Sequence, residues 1–485
     1  MRGRATRAAG YAGPLLALFC AWFSGCAVGP DYQRPAVNSP AVFRDDHAVE
    51  NRSIADMSWW QVYQDPALQE LIREALTKNY DLGIALTRVE QARAIAMQAR
   101  SQFVPTVDYS GVVGRGRNDL FNSPYPYNAA TTNSTVTVLN AFWEVDLWGR
   151  VRRLNESARA QLLATEAARR GVRLSLLSEV ATDYFQLLEL DQELRISRRT
   201  TASFTESLKI FTQREEGGTA SDLEAARAEA AQADAAASIP QIQEQIATTE
   251  NEICVLLGRN PGPIERTLSP GAEMLPPEVP AGLPSALLER RPDLLEAEQL
   301  LRSANAQVGE SMAEFFPKFG LTAFLGKISV PLSTYSQGSA NAWGVGAEAT
   351  GPLFEGGRLV GQYRGAKAAR DAARLSYQQT ALNAFREVAD ALVSRQRLEE
   401  IRGQQTREVK ALERATRLST ERYLAGKASY YEVLEAQQEL FPAQLNLART
   451  QRDQSLAIVV LYKTLGGGWE EESKSAVASS EAKAR

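Results

Sequence analysis

Three stretches of the chain alternate apolar and polar residues with a period of two. After Pro105, Val107, Tyr109, Gly111 and Val113 fall on one face, and Thr106, Asp108 and Ser110 on the other. After Pro317, Phe319, Leu321, Ala323 and Leu325 oppose Lys318, Gly320 and Thr322. Trp343, Val345, Ala347 and Ala349 then alternate with Gly344, Gly346, Glu348 and Thr350. This pattern predicts two-faced strands over about 105–114, 317–326 and 342–354. A fourth strand, over about 134–146, is less regular. Val136 and Val138 share a face while Leu139, Trp143 and Val145 take the other, which predicts a bulge near Val138.

Between these stretches the period changes. Val172, Leu176, Val180, Tyr184 and Leu187, and later Leu382, Phe385, Val388 and Leu392, recur at helical spacing. The surrounding runs lack proline and are rich in Ala, Leu, Glu, Arg and Gln, all good helix formers. They predict helices over about 150–216 and 358–425, each roughly 100 Å long at about 1.5 Å per residue. Gly218 and Gly426 then turn the chain, and second helices return over about 221–257 and 429–465. Further helices are expected over about 65–102 and 285–313.

The two halves also match residue by residue. Asn79-Tyr80-Asp81-Leu82 answers to Arg291-Pro292-Asp293-Leu294, and Phe103 and Pro105 to Phe315 and Pro317. Gly149-Arg150 answers to Gly357-Arg358, Glu179-Val180-Ala181 to Glu387-Val388-Ala389, and Leu257-Gly258 to Leu465-Gly466. The first group lies 212 positions apart (291 minus 79) and the later ones 208 (357 minus 149). The difference falls in the loops between Gly114 and Thr131 and between Gly326 and Ala342, where length changes are tolerated. Repeats of this size imply duplication of half a fold. The expected organisation is a first repeat over 58–258, a proline-rich linker over 259–284, a second repeat over 285–468 and a disordered tail over 469–485.

The N-terminus changes the picture of the strands. Arg2, Arg4 and Arg7 precede a short apolar stretch from Leu15 to Phe23, then Ser24-Gly25-Cys26. This is a secretion signal over 1–25, too short to span a bilayer as a mature helix. Its end resembles the bacterial lipobox, which implies acylation of Cys26 and, with Ala27 following, sorting to the outer membrane. Residues 26–57 then read as a lipidated, extended segment. Strands of about ten residues with one apolar face suit an outer-membrane barrel or an ordinary half-buried sheet, and the lipid signal favours the barrel. Four strands are too few to close one, and lipid offers nothing to satisfy an open edge. Several chains must then share a barrel. Two copies make eight strands and three make twelve, and periodicity does not choose between them.

Chemistry is sparse. After processing, Cys254 is the one cysteine besides the acylated Cys26, and Ile253 and Val255 beside it predict a buried small hydrophobe. The single histidine, His47, has no metal-ligand spacing around it, and no phosphate-binding glycine loop is present. The chain's formal net charge of −4 becomes nearer −7 once the three signal arginines leave, which argues against a nucleic-acid partner. The expectation is no enzyme, no metal and no cofactor.

Longer motifs give a resemblance. Cys26-Ala-Val-Gly-Pro-Asp-Tyr-Gln-Arg-Pro35, Phe142-Trp-Glu-Val-Asp-Leu-Trp-Gly-Arg150, Arg290-Arg-Pro-Asp-Leu294, Gly351-Pro-Leu-Phe-Glu-Gly-Gly-Arg358, Arg422-Tyr-Leu-Ala-Gly-Lys-Ala-Ser429 and Leu461-Tyr-Lys-Thr-Leu-Gly-Gly-Gly-Trp469 resemble the outer membrane factors of NodT type, nearly along the whole mature chain. The resemblance implies an α+β membrane protein. In it a homotrimer shares a twelve-stranded transmembrane β-barrel, continuous with a long periplasmic α-helical barrel. It also implies a periplasmic adaptor and an inner-membrane pump as partners, and passive conduction of small toxic solutes or drugs. The exit duct of a type I-like secretion system, and a non-conducting coiled-coil lipoprotein scaffold, are the alternatives.

The candidate site residues follow from this frame. Gly218, Thr219, Ser221, Gly426, Lys427 and Ser429 sit at the helical tips and would face the adaptor. Glu215, Glu216, Asp222, Glu421 and Glu432 make the tips acidic, favouring cations at an entrance or serving as solvated surface. Asp108, Lys318 and Glu348 would face the pore. Asp146, Gly149, Arg150, Gly356, Gly357 and Arg358 mark the strand-to-helix junctions, with a structural role. Trp143 and Trp343 are candidates for an aromatic girdle or for core packing.

Overall fold

A computed structural model describes residues 27–43, 53–117, 131–218, 221–266, 284–329 and 332–467. The signal segment with Cys26, most of the proline-rich linker and the tail lie outside the described residues. The element order is α1 (Pro66–Lys78), α2 (Tyr80–Ser101), β1 (Thr106–Arg117), β2 (Thr131–Val145), α3 (Arg150–Glu216), α4 (Asp222–Leu256), α5 (Pro292–Ala313), β3 (Lys318–Ser329), β4 (Asn341–Thr350), α6 (Arg358–Leu424) and α7 (Tyr430–Thr464). Both α3 and α6 have 67 residues, and both α4 and α7 have 35. The chain forms two compact units, one holding the sheet and residues 1–35, 89–165 and 296–377, the other holding 36–88, 166–295 and 378–485.

In the first unit the four strands form one antiparallel sheet in the order β1-β2-β3-β4. No bulge occurs near Val138. The pairing runs unbroken from Thr106↔Phe142 to Arg117↔Thr131 and from Thr135↔Ser329 to Val145↔Phe319. Val138 keeps its place because Gly326 opposite it leaves room. A Cβ on Gly326 would meet the Val138 Cα at 2.6 Å. Val138 is buried on one face while Leu139 stays on the other, so the irregular apolar pattern reflects two differently used faces.

β4 ends at Thr350, short of the expected limit at 354. Its neighbour in the described sheet, β3, begins at Lys318, which pairs with Thr350. Among the described residues, those beyond Thr350 have no strand to pair with.

In the second unit the helix expected over 65–102 is two helices. Asn79 is extended (φ −63°, ψ 131°). Its side chain accepts from Leu82 N at 2.9 Å and donates to the Leu256 carbonyl at 3.0 Å, a better use of the amide than a helix interior offers. The helix expected over 285–313 is likewise interrupted at Arg291, which is extended because it precedes Pro292. The buried Arg291 guanidinium pairs with Asp293 at 2.7 Å and Glu387 at 2.8 Å and donates to the Thr464 carbonyl at 3.0 Å. Gly258, just past the α4 end, has φ +67°, and a Cβ there would lie 2.4 Å from the Lys78 carbonyl oxygen. Glycine meets both demands.

Aligned charges join α3 to α7. Glu193 accepts from Arg449 at 2.7 Å, and Glu189 lies 3.5 Å from Arg452 and accepts from Gln186 at 3.0 Å. Both carboxylates are buried, Glu189 at 5% and Glu193 at 4% exposure. Burial, then the hydrogen bond and charge of Glu193, push Glu189 up to about 8, against the opposing pull of Arg452 and Arg449. A protonated Glu189 donates to its neighbour and avoids placing two anions side by side.

The folded chain therefore holds a proton that the unfolded chain releases near 4.5. Stability falls as pH rises from about 4.5 to about 8 and is level above that. Glu189→Gln keeps the hydrogen-bonding amide without the ionisation. Melting curves across this range should show wild type losing more stability than the variant with rising pH, and equal slopes would refute the shared proton.

Candidate functional site

One exposed face of the sheet is apolar over most of its height and gives way to Thr135, Thr137 and Lys327 toward the strand ends farthest from Thr106 and Lys318. Val107, Tyr109 and Val113 of β1 continue through Leu139 and Trp143 of β2, Leu321 and Leu325 of β3, and Trp343 and Val345 of β4, all placed on that face by the register. Tyr109 is 85% exposed and Val113 and Val345 are each 79% exposed. Such a contiguous apolar surface is foreign to water. The opposite face carries Asp108, Lys318 and Glu348 together with Thr106, Ser110 and Thr322. Here aromatic rings lie over glycines. A Cβ on Gly320 would meet the Phe142 ring at 2.7 Å, and one on Gly344 the Phe324 ring at 2.5 Å. Trp143 donates its Nε1 to the Phe103 carbonyl at 3.1 Å, and Trp343 is freely exposed.

At the junction from β2 to α3, Asp146 accepts from the amides of Val151 at 3.1 Å and Arg152 at 2.9 Å and so satisfies the helix start. Gly149 has φ +83° and abuts Ala27, where a Cβ would come within 2.7 Å. Arg150 forks onto Glu144 at 2.9 and 2.7 Å and reaches Gln102 at 3.2 Å. The hydrogen bond to Glu144 raises the Arg150 pKa further, overcoming the cost of burial. Gly356 and Gly357 both have positive φ, and Arg358 pairs with Glu355 at 2.8 Å.

A clamp missed by the sequence reading surrounds residues 27–34. Val28 N donates to the Trp148 carbonyl at 2.9 Å, and Arg153 reaches Asp31 at 2.9 Å and the Val28 carbonyl at 3.3 Å. Asn305 donates to the Pro30 carbonyl at 2.9 Å, and Glu298 receives Arg34 at 2.9 Å and Tyr32 at 3.2 Å. Burial and the neighbouring Glu298 push Tyr32 up to about 12, so it stays a donor. The segment just after Cys26 is thus fastened beside the sheet. Its spacing of Asp31, Tyr32 and Arg34 was the available signal.

At the α3–α4 and α6–α7 turns, Gly218 and Gly426 both have φ +69° with open space around them. Lys427 N returns to the Arg422 carbonyl at 2.9 Å, closing the second turn. Ser221 caps α4 in a reciprocal pair with Glu224, and Ser429 is the N-cap of α7. Thr219 lies outside the described residues. Behind the turns the helices meet in a core of Phe204, Phe211, Tyr430, Val433 and Leu434 against alanines of α4. Phe211 and Tyr430 have ring centroids 3.8 Å apart, and Arg214 both lies over the Tyr423 ring, at 5.1 Å, and donates to its hydroxyl. The acidity expected at the tips is partly answered locally. Glu421 pairs with Arg417 at 3.0 Å and Glu432 with Arg422 at 3.7 Å, whereas Glu216 and Asp222 are exposed.

Among the described residues no group of side chains could hold a metal ion, and no helix is long and apolar enough to cross a membrane. The latter says nothing of strands.

Comparison with known proteins identifies the family. The family described as outer membrane efflux protein matches residues 71–259 and again 283–467. The chain is 35% identical over 455 residues, 92% of this chain and 94% of the relative, to the toluene efflux pump outer membrane protein TtgC of Pseudomonas putida. It is 31% identical over 92% of its length to the cation efflux system protein CusC of Escherichia coli, covering 97% of that protein. A solved CusC structure superposes with a TM-score of 0.83, covering 91% of this chain and all of that one at 31% identity. The open-state MtrE outer membrane channel of Neisseria gonorrhoeae gives 0.82, covering 91% of this chain and 98% of that one at 28% identity. The chain therefore belongs to the outer membrane efflux protein family.

Proposed function

We propose that this efflux protein works as a lipid-anchored homotrimer whose four-stranded sheets join into one twelve-stranded barrel in the outer membrane. The carrying observation is the sheet itself, with one face apolar and exposed and with two edge strands, β1 and β4, that have a neighbour on one side only. Lipid accepts such a face but not such edges. The strands have 12, 15, 12 and 10 residues, enough for a tilted crossing of about 9–11 residues. The number three rests on the family resemblance. The repeated element order and the double family match support an internal duplication.

Asp108, Lys318 and Glu348 on the other face would line water, where charge is tolerated. The glycines and capped helix starts at the junctions let the wall pass from strand into helix, and α3, α4, α6 and α7 would continue it as a periplasmic tunnel. The turns at Gly218 and Gly426, with Thr219, Ser221, Lys427 and Ser429, would meet the adaptor that links the duct to an inner-membrane pump. Glu215, Glu216, Asp222, Glu421 and Glu432 would surround the entrance, giving a weakened field because two of them are paired. The cargo class is small toxic solutes, as the names of the toluene and cation efflux relatives suggest.

Purified protein in planar bilayers should give discrete single-channel steps, and a folded, inserted protein that never conducts would rule out the duct. Mass spectrometry of the mature protein should find Cys26 acylated as the first residue, and an unmodified cysteine would remove the anchor. Gly426→Val places a β-branched side chain at positive φ, at a strain of about 1–3 kcal/mol confined to the turn. Drug resistance should drop severalfold in a host relying on this protein, with the amount in the outer membrane unchanged. Undiminished resistance would argue against docking at this turn.

A further inference from the structure

We propose that the far end of the sheet's apolar face binds the phosphates of the glycolipid in the outer leaflet, through Arg115 of β1 and Lys327 of β3. The proposal rests on the reading of the sheet as a wall in the outer membrane and adds to it a lipid that this wall selects.

The charges of the sheet are divided by face. Asp108, Glu144, Lys318 and Glu348 share one face. Among the described residues the register gives the apolar face no carboxylate, and its charged groups are the basic Arg115 and Lys327. Arg117 follows two residues beyond Arg115 in β1. Both Arg115 and Lys327 lie toward the strand ends farthest from Thr106 and Lys318, the ends at which β1 and β3 follow helices α2 and α5. With the helices in the periplasm, these far ends stand in the outer leaflet.

The change from apolar to polar is abrupt. Leu139, Leu325 and Trp343 are neighbours across three strands and are 51%, 63% and 73% exposed. The next row outward on this face is Thr137, Lys327 and Asn341, two residues or roughly 7 Å further at about 3.4 Å each. On β1 the same change falls between Val113 and Arg115. Hydrocarbon suits the first row, and a tryptophan at its margin suits the membrane interface. The second row then stands at the level of the lipid headgroups. Lys327 is held there. Its Nζ donates to the Tyr335 carbonyl at 3.2 Å and lies over the Tyr335 ring at 5.4 Å. An ammonium has three donors, so two remain for an anion. Arg115 is exposed, and a guanidinium offers the paired donors that fit a phosphate. Thr137 and Asn341 flank Lys327, are exposed, and can donate to phosphate or accept from sugar hydroxyls. Cations without carboxylates at headgroup level need counter-anions. A zwitterionic phospholipid brings its own cation and balances them poorly. A phosphorylated glycolipid supplies both the negative charge and the hydroxyls.

The test titrates the purified full-length protein in detergent with lipid A bearing its phosphates, with the same lipid A dephosphorylated, and with phosphatidylglycerol, read by native mass spectrometry. Wild type should hold the phosphorylated lipid A severalfold more tightly than either of the others, and added salt should weaken that binding. Arg115→Gln with Lys327→Gln should lose the preference, whereas Lys410→Gln, at an exposed lysine of α6, should keep it. Arg115→Lys with Lys327→Arg preserves both charges and should keep most of the binding, which leaves a reading if the glutamine variant fails to fold. Equal binding of the dephosphorylated lipid, equal binding of phosphatidylglycerol, an unchanged preference in the glutamine variant, or its loss in the charge-preserving one overturns the proposal. Single-channel recording of wild type separates the two ideas. A protein that conducts without the preference overturns the lipid site and leaves the duct standing. A protein that neither conducts nor holds the lipid overturns both.

Discussion

Backbone polar groups need partners, and a bilayer supplies none. That constraint organises this molecule. Among the described residues, the sheet has a largely apolar, exposed face and two edges that no further strand pairs. In water the edges would be hydrated and the face would aggregate. In lipid the face is at ease and the edges must be paired. In the proposed homotrimer a ring of copies would pair those edges, and its closure would create the aperture through which solutes leave.

The junctions between sheet and helices solve a second backbone problem. A strand of period two must hand over to a helix of period 3.6 within a few residues. Asp146 receives the first free amides of α3, and glycines at positive φ take the turn. The segment after Cys26 is fastened at the same place through Arg153, Asn305 and Glu298. An acyl anchor there would be held next to the sheet whose face is proposed to meet the same lipid, so both membrane contacts would act at one level.

The long helices carry little chemistry and much register. Their polar contacts are specific where they are buried. Arg291 ties Asp293, Glu387 and the end of α7, and the Glu189–Glu193 pair with Arg449 and Arg452 ties α3 to α7. Breaking one partner of a buried ionic group costs far more than removing an exposed pair. At the far turns, by contrast, Gly218 and Gly426 have open space around them, and the packing lies just behind in the Phe211, Tyr423 and Tyr430 rings. The surface proposed to meet a partner thus has packed rings directly behind it.

Local patterns in the amino-acid sequence determined the types of element. Proline-free runs of strong helix formers write the 67-residue helices from Arg150 and Arg358, and strict alternation writes β1, β3 and β4, because both depend on neighbours a few residues away. Glycine at Gly218 and Gly426 was legible for the same reason. Tertiary structure decided what depends on distant partners. Val138 needs no bulge because Gly326, far along the chain, makes room for it. The helix over 65–102 divides because Asn79 finds the Leu256 carbonyl. Glu421 and Glu432 lose part of their field to arginines that the acidic count ignored, and the clamp on residues 27–34 joins segments more than a hundred positions apart. β4 stops at Thr350 because hydrogen bonds to a strand need a second strand, and β3 begins at its partner Lys318.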